Sequence, residues 1–270
     1  MQTQGVNSKK RVKATPWVPL SHSIYFLLRK KRLFGLSLLL FFVTVLFTWL
    51  GYQLSINFID GMTSSFFVEP PGESTIWGWI KNKGWLILKW LYLFITRIAA
   101  FYLAFMIAYT LTTPGYSLLS TATEKLKAGE LFELDDGLSL RGILLDLWEG
   151  LKIASFGILV TIAAIMANFI PIIGQLVAFL LYTYYSALMF LDYPASRRRW
   201  SLGRKLDWLK THNAPSFRLG ILPALVSMIP FVNIFLMAFL FPILTVHVTL
   251  NFTNLEIYNH NQTLGEDDGN

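Results

Sequence analysis

Phe169-Ile170-Pro171-Ile172-Ile173-Gly174-Gln175 lies near the middle of a run, Ile153 to Leu191, that holds no charged side chain. A second uncharged run, Leu219 to Leu255, carries a near copy at Met228-Ile229-Pro230-Phe231-Val232-Asn233-Ile234. Each copy reads Ile-Pro, two apolar residues, then a residue that tolerates positive φ, Gly174 or Asn233. Proline removes a backbone donor and disfavours helix in the residue before it. Pro171 and Pro230 therefore break each run into two helical arms.

Length then decides what the arms can do. A bilayer core of about 30 Å takes about 20 apolar helical residues per crossing. Neither run, break included, reaches twice that length, and the arm Leu219–Ile229 amounts to half a crossing. Two readings are open: hairpins that turn at the far surface, or re-entrant hairpins that dip in and return to the same face. The lengths favour re-entrant hairpins, whose broken backbone must sit inside protein or face a wet cavity.

The 270 residues are 54% hydrophobic and only 14% charged, against about 25% charged for a soluble domain. Mean hydropathy is +0.50. The chain is thus expected to be an all-α integral membrane protein, with 22 Phe and 9 Trp toward lipid and its interface. No cysteine is present, which excludes disulfides, thiolate metal sites and Cys nucleophiles. The net charge of +7 comes from two basic blocks beside apolar segments, Lys9 to Arg32 and Arg197 to Lys210. That placement matches anionic headgroups and topology signals, not nucleic acid.

Taken in order, residues 1–20 read as a disordered basic tail, 21–256 as one membrane domain and 257–270 as a polar acidic tail. Ser21 to Arg32 reads as a short interfacial helix closed by Arg29-Lys30-Lys31-Arg32. Leu33 to Ile59 is the first span, and the basic cluster before it sets the N-terminus in the cytoplasm. A loop with Glu69-Pro70-Pro71-Gly72-Glu73 and a Trp belt at Trp77, Trp79 and Trp85 leads to the second span, Trp85 to Thr112. Arg97 sits near its midpoint, and the apolar runs hold no Asp or Glu to neutralise it. An intramembrane Arg is a functional candidate, here an anion contact. The alternative centres the slab on Ala99–Thr113 and leaves Arg97 near the outer headgroups.

Thr113-Pro114-Gly115 is expected to end the span, and a helix from Ser117 to Ala128 carries Glu124, which on periodicity alone reads as part of a solvated face. An acidic loop, Gly129 to Gly137, precedes an amphipathic helix, Ser139 to Lys152. Between the hairpins Arg197, Arg198, Arg199, Arg204, Lys205 and Lys210 mark a basic interfacial helix over a stripe of Leu202, Leu206 and Leu209. Asn213-Ala214-Pro215 reads as an N-cap with Pro in the first turn. Two crossings bring the chain back inside, and each hairpin returns to its own side, so both termini are expected in the cytoplasm.

The combination of Ile170-Pro171-Ile172-Ile173-Gly174-Gln175, Leu191-Asp192-Tyr193-Pro194, Met228-Ile229-Pro230-Phe231-Val232-Asn233, and Pro114 with Leu118-Leu119 and Glu124 resembles the CysZ family of bacterial inner-membrane sulfate permeases, within the etoposide-induced-protein superfamily. The resemblance spans about residues 21–256. It implies two long transmembrane helices plus two hemi-penetrating hairpins, a homo-oligomer, sulfate uptake, and a gating or structural role for the Glu124 carboxylate. The family's Gly-Leu-Arg motif before the first span stands here as Lys30-Lys31-Arg32-Leu33-Phe34, which keeps positive charge.

No enzyme constellation, metal site or cofactor motif is present, and the four histidines lack ligand spacing. His247 is read as a packed neutral residue. The leading function is an anion permease or channel, with half-helix N-termini at Gly174-Gln175 and Asn233 and with Arg97 as anion contacts. Its partners are membrane lipids and a small inorganic anion, sulfate by resemblance. A non-transporting scaffold that shapes one leaflet is the alternative. A lipid-metabolising enzyme fits poorly, because buried acid–base pairs are missing from the apolar runs.

Overall fold

Every element the computed structural model places is an α-helix, over described residues 17–63, 75–129, 140–229 and 232–267. The expected tail over 1–16, the Glu69–Glu73 loop, the acidic loop from residue 130 onward, and the break residues Pro230 and Phe231 lie outside the described residues. The helices are α1 (Leu20–Arg29), α2 (Lys31–Thr63), α3 (Ile76–Ala128), α4 (Leu140–Ala167), α5 (Ile173–Ser196), α6 (Leu202–Thr211), α7 (Asn213–Ser227) and α8 (Val232–Asp267).

α3 corrects one expectation. Thr113-Pro114-Gly115 does not break the helix, which continues through Pro114 to Ala128. A mid-helix proline leaves carbonyls of the preceding turn short of a donor. The one directly deprived by Pro114 is Thr110 O, four residues back; the threonine hydroxyls bond the two carbonyls before it, Thr112 Oγ1 donating to Ala108 O at 3.0 Å and Thr113 Oγ1 to Tyr109 O at 3.1 Å. α8 likewise continues to Asp267, past the expected start of the acidic tail at 257.

The chain forms two compact units, Leu39–Thr113 and the remainder. In the first, α2 and α3 run antiparallel. Thr44 pairs with Thr112, Gly51 faces Ala104, Tyr52 meets Phe101 edge-on, and Asp60 faces Arg97. Both helices expose large apolar side chains, among them Leu54, Phe58, Ile87 and Leu103.

In the second unit α4 and α5 form the first hairpin, α7 packs on α5, and α1, α5 and α7 surround α8. The first hairpin turns at Pro171, as expected, but through a different residue. Gly174 is helical; Ile172 takes the positive φ, 67° with ψ −60°. Ile173 N donates to Pro171 O at 2.8 Å, which makes Ile172 the centre of a γ-turn of the rare, strained hand. Glycine is needed at 174 for closeness instead: a Cβ there would strike the Ala167 carbonyl. The tip is apolar and bare, with Phe169 84% and Ile172 81% exposed.

α7 opens without the expected Asn213 cap; the Asn213 side chain accepts a hydrogen bond from the Tyr184 hydroxyl of α5. Residues 17–19 are extended and held on α8: Val18 N donates to Asn251 Oδ1 at 2.9 Å, and Asn251 Nδ2 donates to Val18 O at 3.1 Å.

Candidate functional site

Polar side chains inside an apolar protein need partners, and here they gather into one buried seam between α3 and α8. On α3, Ser117, Ser120 and Glu124 share a face at helical spacing; on α8, Thr245, Thr249 and Thr253 recur every fourth residue. All six are buried. Ser120 and Thr249 join the two helices through a 2.8 Å hydrogen bond between hydroxyls. Thr245 and Thr249 also donate back to their own helix at Phe241 O and Thr245 O. Aromatic rings lie one turn before the hydroxyls on both helices: Tyr116 packs on Phe241 at 4.7 Å and Phe190 on Phe241 at 4.6 Å.

At the other end stands an ion pair. Glu124, 1% exposed, accepts a hydrogen bond at Oε1 from Arg198 Nη2. Its Oε2 has no hydrogen-bond partner among the described residues. The Arg198 guanidinium also lies over the Phe252 ring at 4.6 Å. The turn after α5 delivers it. Arg199 N donates to Ser196 O and Trp200 N to Ala195 O, closing a Schellman motif with Arg199 at φ 54° in the position usually given to glycine.

A second charged group ties α6 to the base of the first hairpin. Lys205, with no exposed surface, donates to Asp192 Oδ1 at 2.6 Å and stands 3.5 Å from Glu149 Oε2. Ser196 donates to the same Asp192 oxygen at 2.8 Å, and Lys152 pairs with Glu149 at 2.5 Å. Two carboxylates and two ammonium groups balance. A buried charge set persists only when each member is paired and hydrogen-bonded. Around it pack Leu188, Leu191, Trp200, Trp208 and Phe252.

Compared with models of protein families, residues 20–238 match the family described as Sulfate transporter CysZ/Etoposide-induced protein 2.4. The chain belongs to this family. A search of curated proteins returns no match. Its description is that of a transporter, not an enzyme. Among the described residues, five helical segments of this family member are long and apolar enough to cross a membrane: Lys31–Gly61, Ile76–Ala128, Leu147–Ala167, Ile173–Ser196 and Leu236–Asn259. Together these make a multi-pass membrane protein.

The residues expected to contact an anion are divided between the two units. Arg97 lies in the α2–α3 unit with Asp60 Oδ2 3.9 Å away, each side chain 50% exposed. The pairing was missed because Asp60 bounds the apolar run and does not lie inside it. Gly174 is buried and Gln175 exposed at the start of α5. The free amides expected there are partly used: Ile173 N and Gly174 N donate to Pro171 O and Ile170 O. Asn233 falls in the first turn of α8.

The basic residues divide. Arg29, Lys30, Lys31 and Arg32 are exposed, as an interfacial set should be. Of Arg197, Arg198 and Arg199, only Arg199 is; Arg197 is buried and Arg198 is paired to Glu124. The expectation of three lipid-facing arginines is therefore corrected, because the Schellman turn folds two of them inward. Glu124 is not a solvated residue but a buried one. Asp192, Lys205 and Glu149 went unread as a site. Leu202, Lys205 and Leu209 share one face of α6 at helical spacing, and that spacing was the available signal.

Proposed function

We propose that this protein is an anion permease with sulfate-like selectivity, in a bacterial inner membrane, with both termini cytoplasmic and several copies assembled around the path. Family membership supports the transport class. The observation that carries the anion is Arg198, a cation held in the polar seam by one oxygen of Glu124 while the second oxygen is unpartnered. An oxyanion presents the same oxygens and can exchange with the carboxylate at the guanidinium. Glu124 is then the gate: paired, it occupies Arg198; released, it leaves the cation to the anion. Arg97 is read as a headgroup-level cation beside Asp60, with the slab displaced toward Ala104. The α5 and α8 N-termini at Gly174-Gln175 and Asn233 add dipole to the path.

The re-entrant arrangement belongs to the same proposal. α7 has 15 residues, about 22 Å of helix at 1.5 Å per residue, short of a bilayer core of about 30 Å. In the first hairpin, Lys152 to Phe169 amounts to about 25 Å, and the tip carries no polar side chain from Phe169 to Gly174. A bare tip of that composition fits burial against a neighbouring copy, which would cover its broken backbone.

Radiolabelled sulfate uptake into proteoliposomes, with phosphate and chloride as competitors, tests transport. Saturable uptake is expected, with Arg198→Gln inactive and Arg198→Lys partly active, since Lys keeps charge without the fork. Uptake no faster than in protein-free liposomes would end the permease reading, and lipid remodelling without flux would favour the scaffold. Single cysteines at Ile172 and Met228 of this Cys-free chain should resist a membrane-impermeant thiol reagent applied from outside the cell. Ready reaction at both would show full crossings.

A further inference from the structure

Arg218 is the only charged residue between His212 and Glu256. It is exposed on the second turn of α7, with its guanidinium 5.6 Å from the centre of the Trp17 ring. No carboxylate among the described residues pairs with it. Beside it opens a cavity of about 310 Å³ lined by Trp17, Leu20, Leu222, Leu244 and His247, with no acidic side chain in its wall. Small-ligand sites run from about 300 to 1,000 Å³.

The wall is built, not incidental. His247 is buried and hydrogen-bonded through Nδ1 to Ser23 at 2.9 Å, and Trp17 meets its ring edge-on at 5.7 Å. Asn251, one turn further along α8, clamps the backbone of Val18. The N-terminal segment, α7 and α8 thus enclose a pocket that is apolar inside and cationic at its rim.

We propose that this pocket binds one anionic phospholipid, its phosphate on Arg218 and an acyl chain against Leu20, Leu222 and Leu244. Charge complementarity selects the headgroup: an unpaired guanidinium over an indole, at the start of an apolar hairpin, fits a phosphodiester oxygen pair. The leucine-lined interior selects an amphiphile over a free inorganic ion, which would leave that surface uncovered. A lipid seated here touches all three segments at once, and so fastens the N-terminal strap to the second hairpin. The site is separate from the Arg198–Glu124 seam, and its test does not depend on transport.

The experiment is native mass spectrometry of the delipidated full-length protein in neutral detergent, titrated with phosphatidylglycerol, with phosphatidylcholine, or with sodium sulfate. Phosphatidylglycerol should bind most tightly, and Arg218→Gln should weaken it about 10-fold or more, the scale of a lost charge-assisted hydrogen-bond pair. Arg204→Gln, which removes an equally exposed cation stacked on Trp200, should leave binding within about twofold. Leu222→Trp, which fills the cavity and leaves Arg218 in place, should also block the lipid. Should Arg218→Gln not fold, the Leu222→Trp arm decides. Equal losses in Arg218→Gln and Arg204→Gln would mean diffuse attraction and overturn the site. Displacement of lipid by sulfate in the millimolar range would overturn it in favour of a free-oxyanion site. Unchanged binding in Leu222→Trp would show that no acyl chain enters the pocket.

Discussion

The first hairpin has arms of 28 and 24 residues, and the second has arms of 15 and 36. Both follow an Ile-Pro break in an uncharged run, yet they are held in different ways. The first leaves most of the outer half of both arms bare, with only Val160, Ala164, Gly174 and Ala178 buried between Ile158 and Leu180, and is anchored at its base by Asp192, Lys205 and Glu149. The second is anchored in the middle of α8. Every residue from Leu244 to Asn254 is buried, and neutral groups do the fastening: Ser120 on Thr249, Ser23 on His247, Val18 on Asn251. A common break therefore determines that a chain reverses, while the surrounding side chains determine how its arms are held.

Lys205→Ala should break the comparison most. It leaves Asp192 buried without its ammonium partner, at a cost of about 3–5 kcal/mol. Thermal unfolding in detergent should drop sharply, and Lys205→Met combined with Asp192→Asn should restore much of it. The Val18–Asn251 clamp belongs to the other hairpin, so protease sensitivity before residue 18 should stay unchanged. Equal loosening of both ends would show that the hairpins are not separately held.

A smaller effect is expected where the hairpins touch. Gly220 of α7 lies so close to α5 that a Cβ would strike the Thr183 carbonyl and come within 3.1 Å of Ala187 Cβ. Gly220→Ala should push α7 off α5 and cost about 1–3 kcal/mol. Gly35→Ala, where nothing stands within 4 Å, is the control and should gain stability from helix propensity. If the two variants unfold alike, the short arm is not seated on α5 as described.

Smallest is the turn that joins the hairpins. Arg199 holds φ 54°, a conformation that costs a non-glycine residue about 1 kcal/mol. Arg199→Gly should thus leave stability unchanged or raise it by up to about 1 kcal/mol, measured by the same unfolding curve. A loss as large as that of Arg198→Gln would mean that the charge of Arg199, not its backbone, matters there.

The sequence by itself determined the class and the reversals. Uncharged runs of given length and proline at fixed places act locally, through hydrocarbon solubility and a missing backbone donor, and need no partner to be read. The exposed block Arg29 to Arg32 was legible for the same reason. What only the tertiary structure decided is where each charge finds its counterion. Glu124 and Arg198 are 74 residues apart in the chain, and Arg97 meets an Asp60 that stands on another helix. The positive φ also passed from Gly174 to Ile172, because Gly174 was needed against the end of α4. In a low-dielectric interior each of these choices is set by the need to pair a polar group, and the partner is supplied by folding, not by spacing along the chain.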